Sequence, residues 1–210
     1  MASIVIFGGT GYAGGAIAAE AVRRGHSVTS VSPSGRQAPD GVTTVQGSIG
    51  DTALVDKLAA GADVIAVATR AGSGELGAAL PGLLDAAAGH GARIGVVGGA
   101  GSLQVSDGGP RVVDLPEFPE AHKGEALAHA DILAALRAAP AGVDWFYLSP
   151  AAAFGAHAPG EPTGTFRTGG DVLLTDSDGN SFISGADYAT AFVDEIERPA
   201  HSRERFHVAY

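Results

Sequence analysis

The chain has 210 residues, 45% hydrophobic and 17% charged, enough to bury a core in one unit without covalent or metal staples. Acidic residues outnumber basic ones 23 to 13, the formal charge is -10, and Lys57 and Lys123 are the sole lysines; this argues against nucleic acid or an anionic membrane as a partner, since both need clustered cations to neutralise phosphate. No cysteine is present, which excludes disulfides, thiolate metal sites and a cysteine nucleophile.

Met1–Gly8 carries neither a basic leader nor a long apolar stretch, and no apolar run approaches the roughly 18 residues of a membrane span. A cytoplasmic protein is expected. Short β-branched or apolar runs then alternate with longer helical stretches, the pattern of βαβ units around a parallel sheet. In chain order the expected elements are a strand at Ser3–Phe7, a helix at Gly11–Arg24, strands at Ser27–Val31 and Thr43–Gln46, and a helix at Asp51–Ala60. A strand at Asp63–Ala68, a helix at Glu75–Gly91, a strand at Arg93–Val97, a helix at Glu120–Ala138 and a strand at Val143–Leu148 follow. Most of these strands are almost wholly apolar, as helices on both faces of a sheet require. Asp51 is placed as an N-cap and Gly25 as a C-cap.

After Leu148 the texture changes to a Gly- and Pro-rich stretch through Gly170, read as a substrate-side loop because doubly wound folds bind ligands at the carboxyl ends of their strands. A short strand at Asp171–Leu174, a turn at Asp178–Gly179, a helix at Ala186–Glu197 and a strand at Arg205–Ala209 complete the chain. The expected fold is α/β, a doubly wound, Rossmann-like parallel sheet, with residues 1–210 forming a single domain and a small C-terminal substrate-side region.

The first strand runs into Gly8-Gly9-Thr10-Gly11-Tyr12-Ala13-Gly14, which opens the first helix. Both Gly9-x-Gly11-x-x-Gly14 and Gly8-x-x-Gly11-x-x-Gly14 are present. Glycines let the chain turn sharply, bring backbone N–H groups against a pyrophosphate and pack the helix close to the strand, while the helix N-terminus attracts the phosphates. A tight turn without a ligand is the alternative. An NAD-selective site places an acid about 20 residues further on. Here the second strand leads into Ser32-Pro33-Ser34-Gly35-Arg36, with no carboxylate. Hydroxyls and a guanidinium suit a 2′-phosphate, which favours NADPH over NADH; Arg36 as a solvated loop charge stands beside that reading.

These residues resemble the atypical short-chain dehydrogenase/reductases, a group that takes in NADH-flavin reductase-like proteins, biliverdin-IXβ/flavin reductases and NmrA-like proteins. The resemblance covers nearly the whole chain. It is carried by the glycine turn, by Val97-Gly98-Gly99-Ala100-Gly101-Ser102-Leu103, by Asp144-Trp145-Phe146-Tyr147-Leu148-Ser149-Pro150-Ala151, by Gly164-Thr165-Phe166-Arg167-Thr168-Gly169 and by Gly185-Ala186-Asp187-Tyr188-Ala189. It implies that Thr69, Gly98 and Gly99 pass near the cofactor ribose, and that Ser149, Pro150 and Ala151 approach the nicotinamide. Two departures stand out: relatives commonly carry Arg directly after the second strand and Gly-Asp after the third, where this chain has Ser32 and Gly47-Ser48-Ile49. The second departure leaves Ser48 and Ile49 for the adenine edge.

Standard short-chain dehydrogenases use Tyr-x-x-x-Lys, the lysine lowering the tyrosine pKa so that it can exchange a proton with the substrate oxygen. None of Tyr12, Tyr147, Tyr188 or Tyr210 is followed by Lys four residues later, and Pro119 stands four before Lys123. Hydride transfer to a flavin demands less, because ring stacking sets the geometry and solvent can complete protonation. The sequence therefore points to an NAD(P)H-dependent reductase of FMN, another flavin or a similar small conjugated acceptor. An NmrA-like redox sensor without turnover and a specialised biosynthetic reductase or isomerase are the alternatives, as a monomer or a homodimer.

Lys123 shares a helical face with Ala126, Ala130, Leu133 and Leu136 and either binds a ribose hydroxyl or the acceptor, or snorkels at the surface. Ser102 is either a substrate-binding hydroxyl or a plain turn serine. Phe154 and His157 either line an acceptor pocket or pack the loop. His122, Glu125 and His129 lack the His-Glu-x-x-His spacing of a metal site and are read as solvated helix residues, and Trp145 and Phe146 as strand packing.

Overall fold

Ile4 to Phe7 are all buried because β1 (Ser3–Phe7) lies at the middle of the sheet, with both of its faces covered. A computed structural model describes every residue from Met1 to Tyr210. The further strands are β2 (Ser27–Ser32), β3 (Thr43–Gln46), β4 (Val64–Val67), β5 (Arg93–Val97), β6 (Trp145–Ser149), β7 (Arg167–Gly169) and β8 (Glu204–Ala209). They form one eight-stranded sheet in the order β3-β2-β1-β4-β5-β6-β8-β7. Every pairing is parallel except that of β7 with β8. The helices are α1 (Tyr12–Arg23), α2 (Thr52–Ala59), α3 (Glu75–His90), α4 (Glu120–Arg137) and α5 (Gly185–Glu197).

Alternate residues of each strand feed two cores. Val5 and Phe7 join Ile65, Val67, Ile94, Val96, Trp145 and Tyr147 in the layer packed by α2, α3 and α4. Ile4 and Ile6 join Val64, Ala66, Phe146, Leu148 and Phe206 in the layer packed by α1 and α5. Two buried faces are why the strands read as apolar runs rather than as alternating ones. No helix is long and apolar enough to cross a membrane.

Strand order reverses between β1 and β4, which opens a crevice over the carboxyl ends of the strands. The helix ends form as their residues dictate. Asp51 caps α2 by accepting from the Leu54 amide at 3.0 Å. At the far end of α1, Gly25 takes φ +85°, and the amides of Gly25 and His26 return to the carbonyls of Val22 and Ala21 at 2.9 and 3.0 Å. This is a Schellman closure with Gly25 one residue past the cap Arg24.

The stretch after β6 differs from expectation in one element. Asp171–Leu174 does not form a strand; the edge strand is Arg167–Gly169, pairing with Ala209, Val208 and His207. The chain leaves the sheet after Gly169 because the Asp171 carboxylate is drawn to Arg205, whose Nε donates at 2.6 Å, and to Arg137 at 3.0 Å. Val172 keeps only an isolated bridge to Gln104.

At the opposite edge of the sheet from the crevice, Arg93 at the start of β5 donates to the Glu195 carboxylate at 2.7 Å and to the Glu195 carbonyl at 2.9 Å. Its guanidinium lies 4.7 Å from the centre of the Phe146 ring. His201 holds the second Glu195 oxygen at 2.7 Å. Burial pushes the Glu195 carboxyl up, but the hydrogen bonds from Arg93 and His201 outweigh it, so the pKa falls below the ordinary 4.5. Removing one partner of such a buried pair costs about 3–5 kcal/mol, and Glu195→Ala should lower the unfolding free energy by that order. Because the folded-state pKa is depressed, this stabilisation is complete above about pH 4.5 and is lost as pH falls through the folded-state value. Thermal unfolding followed across the acid range should therefore show a shallower decline for Glu195→Gln than for the wild type; an identical slope would count against the assignment.

Candidate functional site

The crevice is built around the turn between β1 and α1. Gly8 adopts φ +86°, and a Cβ there would stand 2.6 Å from the Ala68 carbonyl oxygen at the end of β4. A Cβ at Gly14 would stand 2.3 Å from the Gly8 carbonyl oxygen, and one at Gly9 would stand 2.5 Å from Ser30 Oγ. Gly8, Gly9 and Gly14 are thus packing requirements of the apoprotein. Gly11 is different: its Cβ would meet only the Gly8 carbonyl oxygen, at 3.3 Å. Its missing side chain leaves open the approach to the start of α1, where Tyr12, Ala13 and Gly14 present amides that helix geometry leaves without an intrahelical acceptor. Thr10 lies in the same turn, and its carbonyl oxygen is 3.5 Å from the Arg36 guanidinium.

On the β2 side, Arg36 is exposed and folds back over the glycine turn, its amide held by Ser34 Oγ at 3.3 Å. Ser32 is buried at the end of β2 and its Oγ has no partner. Beyond β3, the Ile49 side chain is buried, while Ser48 Oγ accepts from the Gly50 amide at 3.0 Å and donates to the Glu75 carboxylate. On the far side of the crevice, Thr69 Oγ1 and Ser149 Oγ are buried with no partner. Gly98 is obligatory, since a Cβ there would stand 2.1 Å from the Tyr147 ring. The Gly99 amide donates to Tyr147 Oη at 3.0 Å, and that hydroxyl donates to the His129 carbonyl at 3.2 Å. Burial pushes Tyr147 up to about 12. Pro150 and Ala151 are buried directly after β6, and His207, beside Ser149 in the sheet, uses Nδ1 on the Ser149 carbonyl at 3.0 Å. Burial lowers the His207 pKa.

The four remaining candidates divide. The Lys123 side chain is 44% exposed on α4, with Nζ 3.7 Å from Glu120, the surface environment of a snorkelling lysine. Ser102 Oγ accepts from Arg205 at 3.0 Å. Phe154 is wedged between Tyr188 and Tyr12, with ring centres 4.6 and 5.4 Å away, so much of its surface goes into packing the loop. His157 is exposed and folds over Gly155. Tyr12 thereby ties the glycine turn to the loop after β6, with its hydroxyl 3.3 Å from the Pro159 carbonyl.

A glycine turn entering a helix at the switch point of a parallel sheet is a dinucleotide site in outline, and the NAD(P)H-binding family model matches residues 8–199. The chain belongs to the NAD(P)H-binding family. Its fold is that of an atypical short-chain dehydrogenase/reductase. It is 36% identical to the uncharacterized protein YwnB of Bacillus subtilis (strain 168), over 98% of this chain and 97% of that one. A Burkholderia pseudomallei structure, described as a "putative exported protein", superposes with TM-score 0.88 at 42% identity, covering 100% of both chains. SP1627 of Streptococcus pneumoniae TIGR4, described as a "putative NADH-flavin reductase", superposes with TM-score 0.89 at 33% identity, covering 100% of this chain and 99% of that one.

In this family member, two parts of the site escape sequence reasoning. Glu125 and His129, expected as solvated helix residues, instead face the crevice. Glu125 Oε1 accepts from the Ala71 amide at 2.7 Å and Oε2 from the Gly72 amide at 2.9 Å, which pins the loop leading from Thr69 to α3. His129 is buried, with Nε2 3.3 Å from the same carboxylate and Nδ1 without a partner. The hydrogen bond from His129 outweighs burial and, with the two amides, lowers the Glu125 pKa to about 2. These partners lie 54 and 53 residues away in sequence, so no local pattern signals them. Asp187 is the second case: buried at the start of α5, it accepts from the Thr163 amide at 2.7 Å, the Gly164 amide at 3.2 Å and Tyr210 Oη at 2.6 Å, anchoring the loop after β6. Its sequence signals are its position three residues after the cap Ser184 and its place in Gly185-Ala186-Asp187-Tyr188-Ala189, neither of which names its partners. Hydrogen bonds to a charged group contribute about 1.5–3 kcal/mol. Glu125→Ala should therefore destabilise the protein by about 2 kcal/mol or more and raise hydrogen exchange at the amides of Ala71 and Gly72 well above that of β4. Unchanged protection there would remove the clamp from the account.

Proposed function

We propose that the protein is an NAD(P)H-dependent reductase that passes hydride to a flavin or a similar small conjugated acceptor, with NADPH as the preferred donor. The observation that carries this reading is the state of the tyrosines. Tyr147 is held near 12 between two backbone partners, Tyr188 is buried on the Leu148 carbonyl at 2.8 Å with its pKa raised by burial, and the Tyr12 pKa is raised by burial as well. Tyr210 spends its hydroxyl proton on the Asp187 and Ser184 cluster. Tyr12, Tyr147 and Tyr188 thus lack the lowered pKa on which carbonyl reduction by a Tyr-Lys pair depends, and the Tyr210 hydroxyl is already engaged. An acceptor that needs positioning more than a proton donor suits such a site. The resemblance to SP1627 supports the same acceptor class.

The bound nicotinamide supplies hydride. The chain's own groups do the rest: the amides of Tyr12, Ala13 and Gly14 hold the pyrophosphate, with Gly8, Thr10 and Gly11 shaping the turn, and Ser32, Ser34 and Arg36 hold the 2′-phosphate. Ser48 and Ile49 border the adenine. Thr69, Gly98 and Gly99 line the ribose, and Ser149, Pro150 and Ala151 the nicotinamide. Phe154 and His157, on the loop that Asp187 anchors, border the acceptor, while Lys123, at the surface beside Glu120, and Ser102, bonded by Arg205, take no part in proton transfer.

Two measurements test this. The purified protein should oxidise NADPH in the presence of FMN or riboflavin, and Lys123→Ala should slow it by about tenfold or less, whereas loss of a true general acid or base costs roughly 10²–10⁴-fold. Tight NADPH binding with no turnover of any flavin would overturn the acceptor class, and a loss above a thousandfold in the variant would reassign Lys123 to proton transfer. Arg36→Ala should weaken NADPH about tenfold or more while leaving NADH nearly unchanged, because a charge-assisted contact of this kind contributes about 1.5–3 kcal/mol. Equal losses for both cofactors would refute the 2′-phosphate role.

A further inference from the structure

We propose that Glu75 reads the base of the dinucleotide, accepting a hydrogen bond from the exocyclic amine of adenine. The inference rests on the dinucleotide reading of the crevice and goes beyond it by naming the group that selects the base. In a doubly wound sheet the adenosine half lies past the carboxyl end of β2, and the base continues toward the end of β3. In this chain the residues at the end of β3 are Gly47-Ser48-Ile49-Gly50, which carry no carboxylate. The Ser48 hydroxyl is not free to read a base, because it accepts from the Gly50 amide and donates to Glu75 Oε1.

Glu75 comes from a different part of the fold, the first turn of α3, and reaches across to the end of β3; a Cβ at Gly50 would stand 3.4 Å from its Oε1. The bond from Ser48 fixes one carboxylate oxygen, and the other has no protein partner while the residue is exposed on the crevice side of α2 and α3. A carboxylate has only acceptor positions. It therefore favours the amino group at position 6 of adenine over the carbonyl that hypoxanthine places there, because a base held in the same pose would set two acceptors against each other. Arg36, by contrast, stands at the glycine turn, so base and 2′-phosphate are read by separate side chains.

The test is isothermal titration of the wild type, Glu75→Gln and Glu75→Ala with four ligands: NADPH, NADH, and the hypoxanthine analogue of each. Glu75 is an exposed first-turn residue, so both variants should fold, which thermal unfolding will verify. The wild type should prefer adenine over hypoxanthine by about tenfold, the value expected for one charge-assisted hydrogen bond at an accessible site. Glu75→Ala should abolish that preference. Glu75→Gln should abolish or invert it, because an amide can donate to the carbonyl of hypoxanthine. The ratio of NADPH to NADH affinity should stay as in the wild type. An adenine preference that survives in both variants overturns the proposal, as does a change in the NADPH to NADH ratio, which would put the carboxylate at the ribose instead. Failure of the wild type to bind any of the four ligands would overturn the dinucleotide reading itself, an outcome distinct from either.

Discussion

At the first turn, one backbone packs directly against another. The Gly8 carbonyl lies where a Cβ of Gly14 would be, and Gly8 itself rests on the carbonyl at the end of β4. Three elements, β1, α1 and β4, meet there with only the Ala68 methyl beside the backbones. Because the strand order reverses at this point, the same contact opens the crevice and aims the amides at the start of α1 into it. The glycines of the turn are therefore not equivalent. Gly8, Gly9 and Gly14 make room for the protein's own atoms, whereas a side chain at Gly11 would meet only the Gly8 carbonyl oxygen, at 3.3 Å.

Around that fixed point, the loops at the carboxyl ends of the strands are held by carboxylates that come from the helices. Glu125 of α4 takes two amides of the loop after β4, and Asp187 of α5 takes two amides of the loop after β6. Asp171 is held by Arg205 and Arg137 and turns the chain out of the sheet after β7. An anionic acceptor that collects several N–H donors in a partly buried place keeps its charge at neutral pH, and Glu125 shows it with a pKa near 2. The acidic balance of the chain is thus spent partly on fixing loops. This arrangement leaves the cations near the crevice, Arg36 and Arg70, exposed, with the Arg70 side chain only 3.6 Å from Glu125.

The tyrosines show how position overrides residue type. Tyr147 and Tyr188 lie at or near the carboxyl ends of the strands, where a short-chain dehydrogenase would want an acidic phenol, yet both hydroxyls are tied to backbone groups and burial raises their pKa values. His129 is the opposite case. It looks like one more polar residue on an amphipathic helix, and the fold buries it against Gly99 with one ring nitrogen on Glu125.

The amino-acid sequence carries the layered α/β architecture, the chain order of the elements and the place of the glycine turn, since each is written in local signals: apolar runs of strand length, helical periodicity, the cap at Asp51 and the closure at Gly25. It also determined what the site lacks, because a missing Tyr-x-x-x-Lys can be read without coordinates. Which side chains meet is set by the folded packing. The edge strand at Arg167–Gly169, in place of Asp171–Leu174, depends on a pairing with β8 about 40 residues away and on an ion pair to Arg205. The approach of Glu75 to Ser48, of Glu125 to Ala71 and Gly72, and of Asp187 to Thr163 each joins residues more than 20 positions apart. Contacts of that range leave no periodic trace in the chain, because the partner of each is a backbone amide or a single hydroxyl, groups that nearly every residue offers or that occur too often to mark a place.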